Sequence, residues 1–447
     1  MSDLIAIILI FPLLFLNIDK FTTYKVFLFF VIRFVNKYYL KEKLSKIERI
    51  SLVGIFFIIF DPFIIFQESF ILSFIISIFL NFSYLFKRKF KRLNLWLIDI
   101  VIVLLLLIPF NINDTYSFNI IRIISNLLIS QIMRPLFIFF YLSIFVFRFS
   151  FLNGLIETIM NFLSRANFDF FNLNMPQISP FFIFIYYLLL SVVFYFYEVN
   201  FKKIGNSILL FLSLSIAVYS IPISNIFTFE VSYINVGQGD STLIRYEGET
   251  ILLDTGGLLY SDVATDSLIP YLRSKRIYKI DKIIITHDDY DHSGALDSLI
   301  RHYPIRAVYR DNSSFPLKIK DDFLIDNLNV FNFQNDDNNY KSLVLSFKLK
   351  DINFLIMGDA PIEVEKMIVA KFPDLKCDIL KVGHHGSETS SSEEFIKFLK
   401  PKIAIISCGY KNKFHHPNDS VIKILDKYNV TIRRTDLEGT INYKFWL

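Results

Sequence analysis

The sequence predicts two folds in one chain: an all-α polytopic membrane bundle over residues 1–227 and an α/β domain over residues 228–447. Three observations carry that prediction. Apolar residues fill 53% of the 447 positions and phenylalanine alone supplies 51, a composition unlike that of a soluble globular chain. Charge divides unevenly, with 19 Lys/Arg against 11 Asp/Glu before residue 228 and 28 against 31 from there on. The apolar pattern also changes at Phe229, from long uninterrupted runs to short ones bounded by turn residues. Two solvents are implied, lipid for the first half and water for the second.

Nine apolar runs, at 4–18, 22–36, 50–66, 69–86, 95–110, 118–133, 135–149, 181–199 and 205–226, make up the bundle. Several reach the roughly 20 residues that a bilayer crossing needs. The first lacks a basic start and a small-residue cleavage site, so it reads as a retained anchor and not a signal peptide. Short cytoplasmic loops collect Lys and Arg. Lys37 to Arg49, the stretch KRKFKR at 87–92, Arg134, and Lys202 with Lys203 all fall on one side of nine crossings, and the sparsely charged connections at 111–117 and 166–180 on the other. The expected orientation places the amino terminus inside and residues 228–447 outside the cell membrane. Residues 150–178, with spaced apolar positions and Glu157, Arg165, Asp169 and Pro176, suit an amphipathic helix lying in the interface. Polar residues inside spans are costly, which singles out Asp61, Gln67, Glu68, Ser69 and Ser73 around one helix-to-helix hinge.

The sequence pI of 8.8 comes from the membrane half, so it speaks for basic loops beside a membrane and not for a nucleic-acid groove. Cys377 and Cys408 sit in apolar, strand-like runs and read as buried packing residues, which leaves thiolate metal sites and disulfides without support.

From Phe229 onward, VSYINV, TLIRY and TILLDTGG are short β-runs joined by glycine-containing turns, followed by the buried strand IDKIIIT at 280–286. That strand runs into THDDYDHSG, which places His287, Asp289, Asp291 and His292 within six residues. Imidazoles and carboxylates at this density attract a divalent cation. Two further strand ends repeat the arrangement: FLIMGDA delivers Asp359, and CDILKVGHHGS delivers His384 and His385. Rigid strands fix such ligands while the loops leave access for substrate. His302 follows a helical segment and reads as a surface residue; His415 and His416, in the polar loop KNKFHHPND, offer one ring to the metals. Asp240, Thr435 and Asp436 read as structural turns near the rim.

The order and spacing of VGQGDS, LLDTG, HDDYDH, LIMGD, HHGS, HHP and RTDLEGT resemble the metallo-β-lactamase domain of the ComEC family of competence-type DNA uptake channels, in which the usual HxHxDH becomes HxDxDH. DPFIIFQESFILSF at 61–74, and NLL at 126–128 with Pro135, resemble helical signatures of the same family. The resemblance implies an αββα sandwich for 228–447. Full-length members of the family also carry an OB-like domain and more spans ahead of the region matched here, and a partner chain is one way to supply them. Carried over, the resemblance has His287 and Asp289 hold one metal, Asp291, His292 and His384 hold the second, and Asp359 bridge them. Ser342 stands where the lactamases have a third histidine.

An oxygen-rich site of this kind suits two divalent ions, manganese or zinc, and in-line displacement on phosphorus. Asp291 and His416 are the catalytic candidates, His416 as a phosphate contact or as the proton donor to the leaving oxygen. Asp254 would orient a metal-bound histidine from behind. Lys411, Lys413, Arg433 and Arg434 form a candidate basic patch near His416. The function expected is that of a membrane protein of DNA uptake, with single-stranded DNA, the membrane and other proteins of an uptake machine as partners. Its metal-dependent nuclease would degrade one strand while the helices pass the other. The alternatives are a membrane-tethered hydrolase of another ester, and a transport or anchor subunit with a vestigial hydrolase domain.

Overall fold

The computed structural model describes residues 2–16, 21–89, 95–125, 172–223, 228–333 and 337–446, with a few isolated positions between 126 and 171. The chain divides into two compact units, Met1–Leu173 with Gln177–Val218 and Asn174–Pro176 with Tyr219–Leu447.

The first unit is helical: α1 (Ser2–Leu16), α2 (Phe21–Tyr38), α3 (Lys46–Phe60), α4 (Glu68–Lys89), α5 (Leu95–Thr115), α6 (Pro180–Glu198) and α7 (Lys202–Tyr219). Phe15, Ile59, Phe60, Phe181 and Leu210 are all more than half exposed, an outward apolar surface that only lipid solvates cheaply. Among the described residues, three helices, Ile98–Thr115, Pro180–Glu198 and Lys202–Tyr219, are long and apolar enough to cross a bilayer, and Asp3–Phe15 and Glu68–Asn81 are shorter apolar helices. The expected run at 135–149, part of that at 118–133 and most of the amphipathic segment at 150–178 lie outside the described residues. Of the hinge residues, Asp61 is exposed and its side chain accepts from the Phe63 N–H at 3.0 Å, capping the turn between α3 and α4. Ser73 has a different role: Lys25 of α2 reaches its carbonyl and its hydroxyl, both at 2.6 Å, and the Ser77 hydroxyl at 2.9 Å. A polar lock thus joins two helices inside the bundle.

The second unit is the αββα sandwich that the resemblance implied. One sheet holds six strands in the order β13-β1-β2-β3-β4-β5, where β1 is Thr228–Tyr233, β2 Thr242–Tyr246, β3 Glu249–Leu253, β4 Lys282–Ile284, β5 Val308–Tyr309 and β13 Ile441–Trp446. The other holds seven in the order β12-β11-β10-β9-β8-β7-β6, where β6 is Leu317–Lys320, β7 Phe323–Asn327, β8 Leu345–Leu349, β9 Ile352–Ile356, β10 Ile379–Lys381, β11 Ile403–Ile406 and β12 Thr431–Arg434. Val231, Ile244, Ile251 and Ile284 of the first sheet meet Ile325, Phe347, Phe354 and Ile379 of the second in one core between them. Outside, Leu268, Leu272 and Leu299 pack on Leu252 and Ile283, and Val364, Phe395 and Leu425 pack on Leu355 and Leu380. Strands buried on both faces lose the polar alternation of an exposed sheet, which explains runs such as KIII and FLIM. Cys377 and Cys408 are free and buried in the second of these outer layers, as their surroundings in the sequence predict.

Glu230, buried in β1, faces Arg245 across the β1–β2 register with an N–O distance of 3.4 Å; it also pairs with Lys275 and accepts from the Ser232 hydroxyl at 2.9 Å. Burial alone would raise its pKa, but Lys275, Arg245 and Ser232 outweigh burial and hold it below the ordinary value. A depressed folded-state pKa contributes stability that is present above the unfolded value and is lost as pH falls through the folded one. Glu230→Gln is therefore expected to lower domain stability at pH 7 by roughly 3 kcal/mol, since Arg245 is left buried without its carboxylate. The gap between variant and wild type should close as pH falls below about 4. Urea unfolding followed by Trp446 fluorescence in a Trp96→Phe background measures both; a gap independent of pH would contradict the assignment.

Candidate metal centre

The candidate ligands arrive from the carboxyl ends of parallel strands. β3 and β4 run parallel with Leu253 beside Ile284, and β9, β10 and β11 run parallel with Ile356 beside Lys381 and Lys381 beside Ile405. Each strand then stops, and the next few residues turn over one rim: Asp254 after β3, Thr286 and His287 after β4, Asp359 after β9, and His384 with His385 after β10. Two glycines let the loops close. A Cβ at Gly239 would stand 2.5 Å from the Asp291 carbonyl, and one at Gly257 would stand 1.9 Å from that of Tyr290, so only glycine permits either approach. His384 and His385 take left-handed backbone conformations, with φ of 46° and 54°. These cost roughly 1–2 kcal/mol apiece for side-chain-bearing residues and mark a turn shaped for its site.

Asp359 is the hub. Its Oδ1 lies 3.1 Å from His292 Nε2, and its Oδ2 lies 3.9 Å from His287 Nε2, 3.7 Å from His384 Nε2 and 3.8 Å from His385 Nε2. Asp291 Oδ2 stands 3.1 Å from His385 Nε2, and Asp289 Oδ2 stands 3.6 Å from His287 Nε2. His287, His292 and His384 thus meet at Asp359, Asp289 reaches the cluster through His287, and Asp291 through His385, an added imidazole beside His384. Asp291, His292, Asp359 and His385 form one group of mutually close donors, and Asp240, Asp254 and His292 a second behind it.

The other ring nitrogen of each histidine is already engaged. His292 Nδ1 faces Asp254 Oδ2 at 2.9 Å, His385 Nδ1 the Ser407 carbonyl at 2.9 Å, His384 Nδ1 the Thr389 hydroxyl at 3.0 Å and His287 Nδ1 the Thr286 hydroxyl at 3.2 Å. With Nδ1–H donating outward, Nε2 turns a lone pair inward, the tautomer of a metal ligand. Asp254 is fixed in turn, accepting from the Thr286 N–H at 2.7 Å and hydroxyl at 2.8 Å. The Ser342 hydroxyl accepts from the Asp359 N–H at 3.2 Å, and Asn338 donates to Asp289 Oδ1 at 2.8 Å.

A cation fits this set. Among the described residues, the buried His287 Nε2, His292 Nε2 and Asp359 Oδ1 have no hydrogen-bond partner, although His292 Nε2 and Asp359 Oδ1 are only 3.1 Å apart. Atoms that close without hydrogen-bond alignment sit as co-ligands do, since donors about 2.0–2.2 Å from a shared ion lie about 3–4 Å from each other. Electrostatics agree. Burial opposes a charged His385, yet Asp359 and Asp240 push its pKa up to about 10; Asp359 itself, buried, is held well below the carboxylate range by His292 and His385. The carboxylates thus demand positive charge at this point. His416 adds a ring on the open side, 5.8 Å between centroids from His384 and 6.4 Å from His385. Burial, then His385 and His384, lower its pKa, which keeps the ring neutral near pH 7.

Not every expectation held. His415 is exposed, and so is His302, as foreseen. The basic patch shrinks: Arg433 is paired with Glu438 at 2.5 Å and Arg434 with Asp436 at 2.7 Å, which leaves Lys411 and Lys413. Asp240 is more than a turn, because its Oδ2 meets the fully buried Lys381 Nζ at 2.7 Å and its N–H donates to the Asp291 carbonyl at 3.1 Å. A lone lysine in the apolar run CDILKVG was the signal for that pair.

Fold and ligand geometry together define a metallo-β-lactamase-type domain. Residues 234–328 match the metallo-beta-lactamase superfamily, and residues 4–199 match the Competence protein family. ComE operon protein 3 of Bacillus subtilis is 27% identical over 473 residues, covering 91% of this chain and 59% of that protein. Competence protein ComA of Neisseria gonorrhoeae is 29% identical over 219 residues, covering 47% of this chain and 31% of that one. The chain thus spans about six-tenths of the length of the first relative and less of the second. Among solved structures, the metallo-beta-lactamase fold protein YhfI from Bacillus subtilis overlays 48% of this chain and 100% of its own, at 11% identity and a TM-score of 0.36. The ComEC-type resemblance read from the motifs therefore stands: a helical region that matches the Competence protein family precedes a domain that matches the metallo-beta-lactamase superfamily.

Proposed function

We propose that the chain is a membrane protein of DNA uptake whose β-domain is a metal-dependent phosphodiesterase. In this reading the domain lies outside the cell and degrades one DNA strand, while the helices, with other proteins of the uptake machine, help pass the other inward. One observation carries the enzymatic part: four imidazole Nε2 atoms converge on Asp359 with every Nδ1 already engaged. Two divalent ions, manganese or zinc, are the proposed cofactors. His287 and Asp289 would hold one, Asp291 and His292 the other, with Asp359 between them and His384 and His385 as the imidazoles from the last loop. Two ions so held would lower the pKa of an attacking water and neutralise charge developing on phosphorus.

The chain's own groups do the rest. The Asp291 carboxylate stays ionised, because the His385 hydrogen bond and the charges of His292 and His385 outweigh the effect of burial. In this reading it orients the attacking water and takes its proton. His416, neutral when free, donates an N–H to a phosphoryl oxygen. The negative charge of that phosphate raises its pKa, so that the ring takes up a second proton from solvent and passes that proton to the leaving oxygen, which requires hydrogen-bond reach. Three filled loops, which carry His287 to His292, Asp359, and His384 with His385, support an active domain over a vestigial one.

The test is full-length protein in detergent with manganese or zinc, offered labelled single- and double-stranded DNA, a generic phosphodiester and a β-lactam. Metal-dependent DNA cleavage, lost in Asp291→Ala, is expected; β-lactam turnover alone, or equal cleavage by the variant, would sink the proposal. A cysteine introduced at Gly248 of a Cys-free chain should label from outside intact cells, and labelling only after lysis would reverse the orientation.

A further inference from the structure

The loop that carries His416 is built as a platform. Asn412 sits at its centre and holds four backbone groups: its amide donates to the carbonyls of Gly409 at 2.9 Å and His416 at 2.6 Å, and its oxygen accepts from the N–H groups of Phe414 at 3.1 Å and His416 at 3.0 Å. One end is tied to the GQGD loop, where Gly409 N–H donates to Gln238 Oε1 at 3.0 Å. The other is tied to the HHGS turn, where Asn418 N–H donates to the Gly386 carbonyl at 2.8 Å. A polar loop braced this way has no packing reason to carry large rings, yet Tyr410 is 67% and Phe414 53% exposed. The Phe414 ring stacks on His416, 5.8 Å between centroids at 26°, so it continues outward the line of rings that starts at the ligands. Lys411 Nζ lies 5.3 Å from the Tyr410 ring and Lys413 Nζ 4.9 Å from that of Phe414. No carboxylate pairs with either lysine among the described residues, unlike Arg433 and Arg434.

Exposed rings beside free ammonium groups match the two faces of an unpaired nucleotide, a base to stack and a phosphate to neutralise. A duplex offers the phosphates but keeps its base faces closed. We infer that the 410–416 loop is a single-strand binding platform, on which Tyr410 and Phe414 stack bases and Lys411 and Lys413 meet the backbone, leading the strand to His416. This rests on the phosphodiesterase reading for its meaning, but binding can be measured without turnover.

The experiment is fluorescence anisotropy of the full-length protein in detergent with EDTA, using a labelled single strand, an abasic strand of the same length and the corresponding duplex. Wild type is expected to bind the base-bearing strand at least about tenfold more tightly than the abasic one, as loss of two stacks requires. Tyr410→Leu/Phe414→Leu should remove that difference while keeping the salt slope. Lys411→Ala/Lys413→Ala should lower the slope of log affinity against log salt by about 0.7 per lysine. Equal affinity for abasic and base-bearing strands, or for duplex and single strand, overturns the platform even if the protein hydrolyses phosphodiesters. Base-dependent binding by a protein without metal-dependent hydrolysis would uphold the platform and sink the phosphodiesterase.

Discussion

Asp359→Ala should lose hydrolysis of both DNA and a generic phosphodiester by at least about a thousandfold, as removal of a group central to charge stabilisation does. The reasons are geometric. Its two oxygens have the Nε2 atoms of His287, His292, His384 and His385 all within 4 Å, at 3.9, 3.1, 3.7 and 3.8 Å. Without the carboxylate, the histidines remain as a ring of imidazoles with less negative charge to draw a cation in. Alanine also opens a space at a 3% exposed position, so Asp359→Asn, nearly equal in volume, separates misfolding from loss of charge. The asparagine variant is expected to fold, to bind metal poorly and to be nearly as inactive. Initial rates beside metal content of the purified variants decide the matter; an active asparagine variant would show that Asp359 is structural.

Lys381→Met is the second large effect expected, and it falls on stability. Lys381 is fully buried, with Nζ 2.7 Å from Asp240 Oδ2 and 3.0 Å from the Val382 carbonyl. Burial would raise the Asp240 pKa, but Lys381 first and His385 next hold it well below the ordinary value, so the carboxylate stays charged where no water reaches it. Breaking such a pair from one side leaves an unpaired buried charge and costs about 3–5 kcal/mol. The damage spreads to the ligands, since Asp240 Oδ1 lies 3.4 Å from His385 Nδ1. Asp240→Asn combined with Lys381→Met removes both charges and should recover most of the lost stability. Urea midpoints of the wild type, Lys381→Met and the double variant test this, and a loss below about 1 kcal/mol in Lys381→Met would contradict the pairing.

Much of this was legible in the sequence because the physical signals are local. A lipid solvent writes itself as long apolar runs, and a strand-end ligand as a polar residue straight after an apolar strand. His287, Asp289, Asp291, His292 and Asp359 were readable in that way. What escaped depends on which segments meet in space. Adjacent histidines in HHGS cannot be told apart by spacing, and only the left-handed turn brings both 384 and 385 to Asp359. Asn338, which holds Asp289, sits 49 residues from it along the chain. The pairing of Arg433 with Glu438 was within reach, since RRTDLEGT holds the arginines and their carboxylates five residues apart or fewer, but counting basic residues without their neighbours hid it.

The central claim, that these carboxylates and imidazoles form a two-ion site, meets its most direct test in a calorimetric titration of metal-free, full-length protein with manganese and with zinc. The account predicts two ions bound per chain, with Asp359→Asn binding neither tightly; one ion per chain, or equal binding by wild type and variant, would contradict it.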